Sequence, residues 1–263
     1  MIIFRQQREE IFLKKVIALN TSRRKFNTFR ALKSLEIIFK EEKVEYEIIN
    51  LHDYKIDYCK GCETCIIKDF CPIDDDVQKI NEKLISADGI IFSTPVYMEN
   101  ISGILKTYID RNCKWYHRSE LLKKPYLAIA TTNGSGLKRS LDYLDLVATR
   151  WGMVPCGKIG RTFRKHMDEI TRKETGQFIE FVKNPDNIKQ WISPSKYINY
   201  SVQKSISMNL FEIDREFWKK NGIDKGYYYN YITDPFSKLM GNFLFKMLSK
   251  KLIESKNSRE QNF

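Results

Sequence analysis

Histidine is scarce in this 263-residue chain, with only His52, His117 and His166. They lie far apart, without the spacing of a hydrolytic triad or a metal-ligand set. Each therefore reads as a surface residue, and imidazole chemistry is not expected. Long apolar runs are missing too: none approaches the ~18 residues of a membrane-spanning helix. The opening segment MIIFRQQREEIFLKK lacks a clean apolar core and a small-residue cleavage site, so a cytoplasmic protein without a signal peptide is expected. Zinc-finger spacing, helix-turn-helix signatures and the aromatic pattern of RNA-binding sheets are absent, so nucleic acid is not an expected partner. The sequence has no internal repeat and no low-complexity tract.

What is present is a folded composition, 42% hydrophobic and 30% charged. The length suits one large α/β domain, or a domain with an extension. The net charge of +12 reads first as a lysine-rich solvated surface, and it also suits anionic partners. Of six cysteines, Cys59, Cys62, Cys65 and Cys71 fall within thirteen residues, whereas Cys113 and Cys156 read as lone thiols. In a cytosolic protein such clustering favours metal or redox use over structural disulfides.

Lys15–Asn20 is a short apolar run and reads as a buried strand. The loop Thr21–Phe26 leads into a helix on which Ala31, Leu32, Leu35, Ile38 and Phe39 recur at helical spacing. Val44–Leu51 alternates as a second strand. Asp74, Asp75 and Asp76 open a helix with Val77, Ile80 and Leu84 as its stripe, since carboxylates suit a helix start. Gly89–Ser93 is a third strand, and Ser102 is the N-cap of a helix carrying Ile104, Leu105, Tyr108 and Ile109. Tyr126–Thr132 and Met153–Ile159 are the fourth and fifth strands, with helices at Leu137–Trp151 and Met167–Val182. This alternation predicts a five-stranded parallel sheet covered on both faces, in the order 2-1-3-4-5. Its ligand crevice then lies at the carboxyl ends of strands one and three.

The domain is expected to span residues 1–190. Residues 191–263 form an aromatic, basic extension expected to be helical. Pro235 opens one clear helix, with Phe236, Leu239, Met240, Phe243, Leu244, Met247 and Leu248 on one side and Lys238, Lys246, Lys250 and Lys251 on the remainder. Such a helix can lie on an anionic membrane. Docking on its own domain or a dimer partner is commoner and is the arrangement expected, so membrane association is not.

Three loops fall at the predicted crevice. The first offers Thr21, Ser22, Arg23, Asn27 and Thr28: hydroxyls, a guanidinium and helix N-terminal amides suited to a phosphate, though any basic turn before a helix looks similar. The second, Thr94–Asn100, has Pro95 to stiffen it, Tyr97 to stack on a planar ring, and Val96 and Met98 to present backbone groups to a ring edge. In the third, Thr131–Gly136, Asn133 and Gly134 allow close approach. Between them lies C-x2-C-x2-C-x5-C, with Cys71 before Pro72. This spacing can hold a 4Fe–4S cluster through Cys59, Cys62, Cys65 and Cys71. A structural cysteine loop, a Cys59/Cys62 dithiol and, ranked below these, a zinc site remain open.

Taken in order, these loops resemble the NADPH-dependent FMN reductase and iron–sulfur flavoprotein branch of the flavodoxin-like superfamily. The branch typically begins G-S-P-R-x-x-G-N-T, and here Thr21, Arg23, Asn27 and Thr28 occupy the serine, arginine and final positions. Asp75-Asp76, Thr94-Pro95-Val96-Tyr97, Ser102, Lys106 and Asp110-Arg111 continue the resemblance over roughly residues 14 to 185. Asn20 and Phe26 depart from the two glycines, and Ser22 from the proline. The resemblance implies a flavodoxin-like doubly wound fold with FMN phosphate in the first loop and the ring against the other two. It also implies a homodimer or homotetramer.

The expected function is an FMN-dependent oxidoreductase passing electrons from NAD(P)H to a small-molecule or protein acceptor, with the flavin supplying the chemistry. Two alternatives stand beside it. One is an iron–sulfur flavoprotein exchanging electrons with a ferredoxin-like protein, and the other a flavodoxin-fold binding module that has lost FMN.

Overall fold

The computed structural model describes residues 14–162 and 169–260. Residues 1–13, His166 and the expected helix start at Met167 lie outside them. Five parallel strands, β1 (Lys15–Asn20), β2 (Glu45–Asn50), β3 (Gly89–Pro95), β4 (Pro125–Thr132) and β5 (Val154–Thr162), pair in the order β2-β1-β3-β4-β5. Every residue of β3 and β4 is buried, because helices cover both faces of a parallel sheet.

Alternate residues of β1 divide between two cores. Val16 and Ala18 face one and Ile17 and Leu19 the other. The first core takes α1 (Asn27–Glu41), through Leu32, Leu35 and Phe39, and α6 (Arg172–Lys183). The second takes α3 (Val77–Ser86), α4 (Gly103–Arg111) and α5 (Leu137–Arg150). A four-residue helix, α2 (Thr64–Ile67), lies inside the cysteine loop. Helix α6 starts at Arg172 because Thr171 and Glu174 form a reciprocal capping box. There Arg161, with the Thr171 groups, holds the Glu174 carboxyl down to about 2.

Past β5 the chain adds β6 (Gln190–Trp191), α7 (Pro194–Asn209), α8 (Glu212–Lys220), β7 (Tyr231–Ile232) and α9 (Pro235–Glu260). Tyr197, Tyr200, Trp218 and Tyr227–Tyr229 of this part join the same core as Val154 and Phe178. Buried polar bonds fasten it as well: Gln203 Nε2 donates to Arg150 O at 2.9 Å, and Trp218 Nε1 to His117 O at 2.8 Å. Among the described residues no helix is long and apolar enough to cross a membrane.

Helix α9 corrects one sequence reading. It does dock on the body of the protein, against α7, yet Phe236, Leu239 and Phe243 of its apolar stripe remain exposed. His117 is the second correction. It is not a surface residue: its ring Nδ1 donates to Asp214 Oδ2 at 2.9 Å, and its side chain is 12% exposed.

Candidate functional site

The first loop is rebuilt around its departures. Asn20 Nδ2 donates to Asn50 Oδ1 at 2.7 Å and to Ser22 O at 3.1 Å, so a side-chain amide organises the turn where a glycine was expected. Phe26 has φ −105°, an ordinary value for a bulky residue, and its ring is 55% exposed with the Arg30 guanidinium 5.6 Å from its centroid. The first helical bond of α1 runs from Arg30 N to Phe26 O at 2.7 Å, which leaves the amides of Asn27, Thr28 and Phe29 without helical partners.

Two residues assigned to ligand binding from sequence point elsewhere. Thr21 is fully buried: its hydroxyl donates to Ser93 O at 2.9 Å and accepts from Ser102 Oγ at 2.9 Å. Ser102 thus sits at the N-cap position of α4, but its hydroxyl ties the first loop to the second instead of capping. Arg23 is exposed and outside the cavity, and Arg24 lines it instead.

The second loop is a tight reversal. Tyr97 N donates to Asn100 O at 2.9 Å and Asn100 N to Tyr97 O at 3.1 Å, while Met98 and Glu99 have φ of 43° and 68°. Two consecutive left-handed residues are strained without glycine. The third loop braces them. A Cβ on Gly136, at φ +81°, would lie 2.7 Å from Glu99 Cα, and Ser135 Oγ donates to Glu99 Oε1. Met98 is 96% exposed at the tip.

Together the three loops enclose a cavity of about 350 Å³. Ser22, Asn27 and Thr28 contribute from the first loop, Pro95, Val96 and Tyr97 from the second, and Asn133 from the third. Thr21, Arg23, Met98 and Gly134 do not line it, whereas Phe26, Thr131 and Thr132 do. Thr28 and Thr131 share a 2.7 Å hydroxyl bond across the floor. The arrangement fits FMN. Unpartnered helix amides and Arg24 stand where an anion is needed, and Phe26 flanks the space without filling it.

The cysteine loop is anchored by two buried guanidinium groups. Arg111 donates to both Asp75 oxygens, to Asp57 O at 2.9 Å and to Cys71 Sγ at 3.4 Å. Burial works to raise the Asp75 carboxyl, but Arg111 and the backbone N–H groups of Asp57 and Val77 hold it below its usual range. Arg118 donates to Cys65 O and Ile66 O, each at 2.9 Å, and to the fully buried Asp214 of α8. Burial, with Arg118 alongside, pushes the adjoining His117 down to about 4, so at neutral pH it is an uncharged donor.

The cysteine side chains do not converge. Cys59, Cys62 and Cys71 are exposed, while Cys65 is buried with its Sγ 3.6 Å from Cys113 Sγ. Cys113 is therefore no lone thiol, and burial, then the neighbouring Cys65, pushes it up to about 12. Among the described residues, no three of His, Cys, Asp and Glu stand close enough to hold a metal ion. As arranged, the four cysteines of the spacing motif do not fit a cluster, because no three of them stand close enough to share a metal ion. His52 has a structural role, its Nε2 donating to Thr21 O at 3.2 Å.

Comparison with known proteins bears on the same residues. Residues 14–166 match the model of a family described as NADPH-dependent FMN reductase. An iron-sulfur flavoprotein of Archaeoglobus fulgidus is 29% identical over 220 residues, covering 79% of this chain and 99% of that one. A second from the same organism is 46% identical over 101 residues, covering 37% of this chain and 48% of that one. An iron-sulfur flavoprotein of Clostridioides difficile is 25% identical over 205 residues, covering 73% and 89%.

Proposed function

The chain belongs to the NADPH-dependent FMN reductase family, and from that premise we propose that it takes electrons from NAD(P)H and delivers them to a small-molecule or protein acceptor at the three-loop cavity. FMN, when bound, supplies both the two-electron acceptance and the one-electron release such a reaction needs. The observation that carries the reading is the convergence of the α1 N-terminus, Pro95–Tyr97 and Thr131–Asn133 on one space.

Each part has a task in that reading. The α1 amides, Asn27 and Arg24 hold the phosphate. Tyr97, half exposed at the rim, offers a ring face. Thr131 and Thr132 shape the cavity from the end of β4, their hydroxyls engaged with Thr28 and with the Gly134–Ser135 backbone. Among the described residues lining the cavity there is no histidine and no carboxylate, and those present contribute position and field. Exposed Arg23, Arg24 and Lys25 draw in an anionic nicotinamide cofactor.

Rapid mixing of the FMN-loaded protein with NADH, NADPH and a reduced ferredoxin tests the donor. Flavin bleaching by a nicotinamide within seconds supports the reading, and bleaching by ferredoxin alone overturns it. The carrier reading draws on the cysteine spacing and on the relatives' names, and it requires Cys65 to turn away from Cys113. Anaerobic purification with about four iron atoms per flavin supports the carrier, while flavin without iron supports the reductase. Light scattering tests the homodimer or homotetramer included in this reading.

A further inference from the structure

Helix α9 meets the protein with its small side and shows its large side to water. Gly241 lies so close to α7 that an added Cβ would be 2.5 Å from Ser201 Oγ and 2.8 Å from the Tyr197 ring. Farther along, Ser205 Oγ donates to Phe245 O and Asn209 Nδ2 to Ser249 Oγ, both at 3.0 Å. This seam uses up the small and polar positions. Phe236, Leu239 and Phe243, spaced three and four apart, therefore form one outward strip and are 68%, 66% and 59% exposed. Trp191 and Ile232, partners across β6 and β7, are 61% and 47% exposed. An exposed apolar strip such as that of α9 marks a contact.

Charge decides what makes the contact. Lys238, Lys246, Lys250 and Lys251 are exposed on α9, and Glu254 is the one carboxylate among the helix's described side chains. A second copy of the chain would bring the same lysines and another net charge of +12 to the interface. An anionic bilayer brings the opposite charge and an apolar layer beneath it.

We propose that the outward face of α9 docks on an anionic lipid surface, lying in the headgroup plane with Phe236, Leu239 and Phe243 at the acyl boundary and Lys246, Lys250 and Lys251 among the phosphates. No described helix can cross the bilayer, so the attachment is peripheral. It is independent of what occupies the three-loop cavity.

The test is cosedimentation of the full chain with vesicles of phosphatidylcholine, alone or with about one-third phosphatidylglycerol. Partitioning should be at least about tenfold stronger with the anionic lipid, and should fall about tenfold when salt is raised well above physiological strength. Phe243→Asp and the double change Lys250→Glu with Lys251→Glu should each lower it about tenfold. All three positions are exposed, so circular dichroism should be unchanged. The proposal is overturned by no binding to the anionic vesicles, by equal binding to both vesicle types, or by binding that Phe243→Asp leaves intact. A dimer that Phe243→Asp dissociates, with no vesicle binding, also overturns it and gives the face to a second copy.

Discussion

The first loop and the cysteine loop reach the same edge of the sheet but are held by different forces. Around Thr21 and Thr28 the bonds are neutral: amide to amide at Asn20 and Asn50, hydroxyl to carbonyl at Thr21 and Ser93, hydroxyl to hydroxyl at Thr28 and Thr131. Around Cys65 and Cys71 they are ionic and dry, Arg111 with Asp75 and Arg118 with Asp214. Neutral bonds contribute about 1 kcal/mol each and do not titrate in the working range. A buried ion pair adds little against an apolar replacement but is costly to leave half made. The cavity should therefore tolerate acid and single changes better than the cysteine loop does.

The largest expected effect breaks the ionic side of that contrast. Arg118→Ala leaves Asp214, at 0% exposure, with the uncharged His117 in place of a counter-charge and should cost about 3–5 kcal/mol, read from urea melts. Replacing both partners with apolar residues should recover most of the loss, and a single change costing under about 1 kcal/mol would show the pair to be solvated.

Acid sharpens the contrast next. His117 falls from an ordinary 6.5 to about 4, so between those values the unfolded chain binds more protons than the folded one. The stability linked to His117 is complete above pH 6.5 and is lost as pH falls through about 4, a drop on the order of 3 kcal/mol. Asp75, held below its usual range, extends the loss to lower pH. Urea midpoints at neutral pH and in mild acid check this, and a flat profile would mean that His117 is open to water.

On the neutral side, Gly136→Ala meets Glu99 Cα at 2.7 Å in a left-handed backbone. It should cost about 2 kcal/mol and weaken FMN binding by fluorescence titration. Thr21→Val, the smallest change, should cost about 1 kcal/mol and leave FMN affinity within about twofold, since the Thr21 hydroxyl is engaged inside the fold. A large loss of affinity from Thr21→Val would return that residue to the ligand.

Local pattern made the sheet legible. Lys15–Asn20 and Gly89–Ser93 are apolar runs between polar loops, and the alternation of strand and helix leaves few other ways to bury them. It also made the three loops legible, since each follows a strand and precedes a helix. Contacts with no local signature were hidden. Arg118 and Asp214 are ninety-six positions apart, and Cys65 and Cys113 forty-eight. The exchange of Arg23 for Arg24 depends on a turn that Asn20 sets through Asn50, a partner thirty positions away. In α9, helical spacing revealed the apolar strip but not its direction, which Gly241 decides by permitting close approach to α7.

The bond from Arg118 to Asp214 also orders events in time. A growing chain makes its cysteine loop long before the ribosome reaches α8, and until then the guanidinium beside Cys65 has only the half-exposed Asp69 of its own loop as counter-charge. The Cys65 segment of a nascent chain is thus more loosely held than in the finished protein, and completion of the last quarter of the polypeptide supplies the buried carboxylate that fixes it.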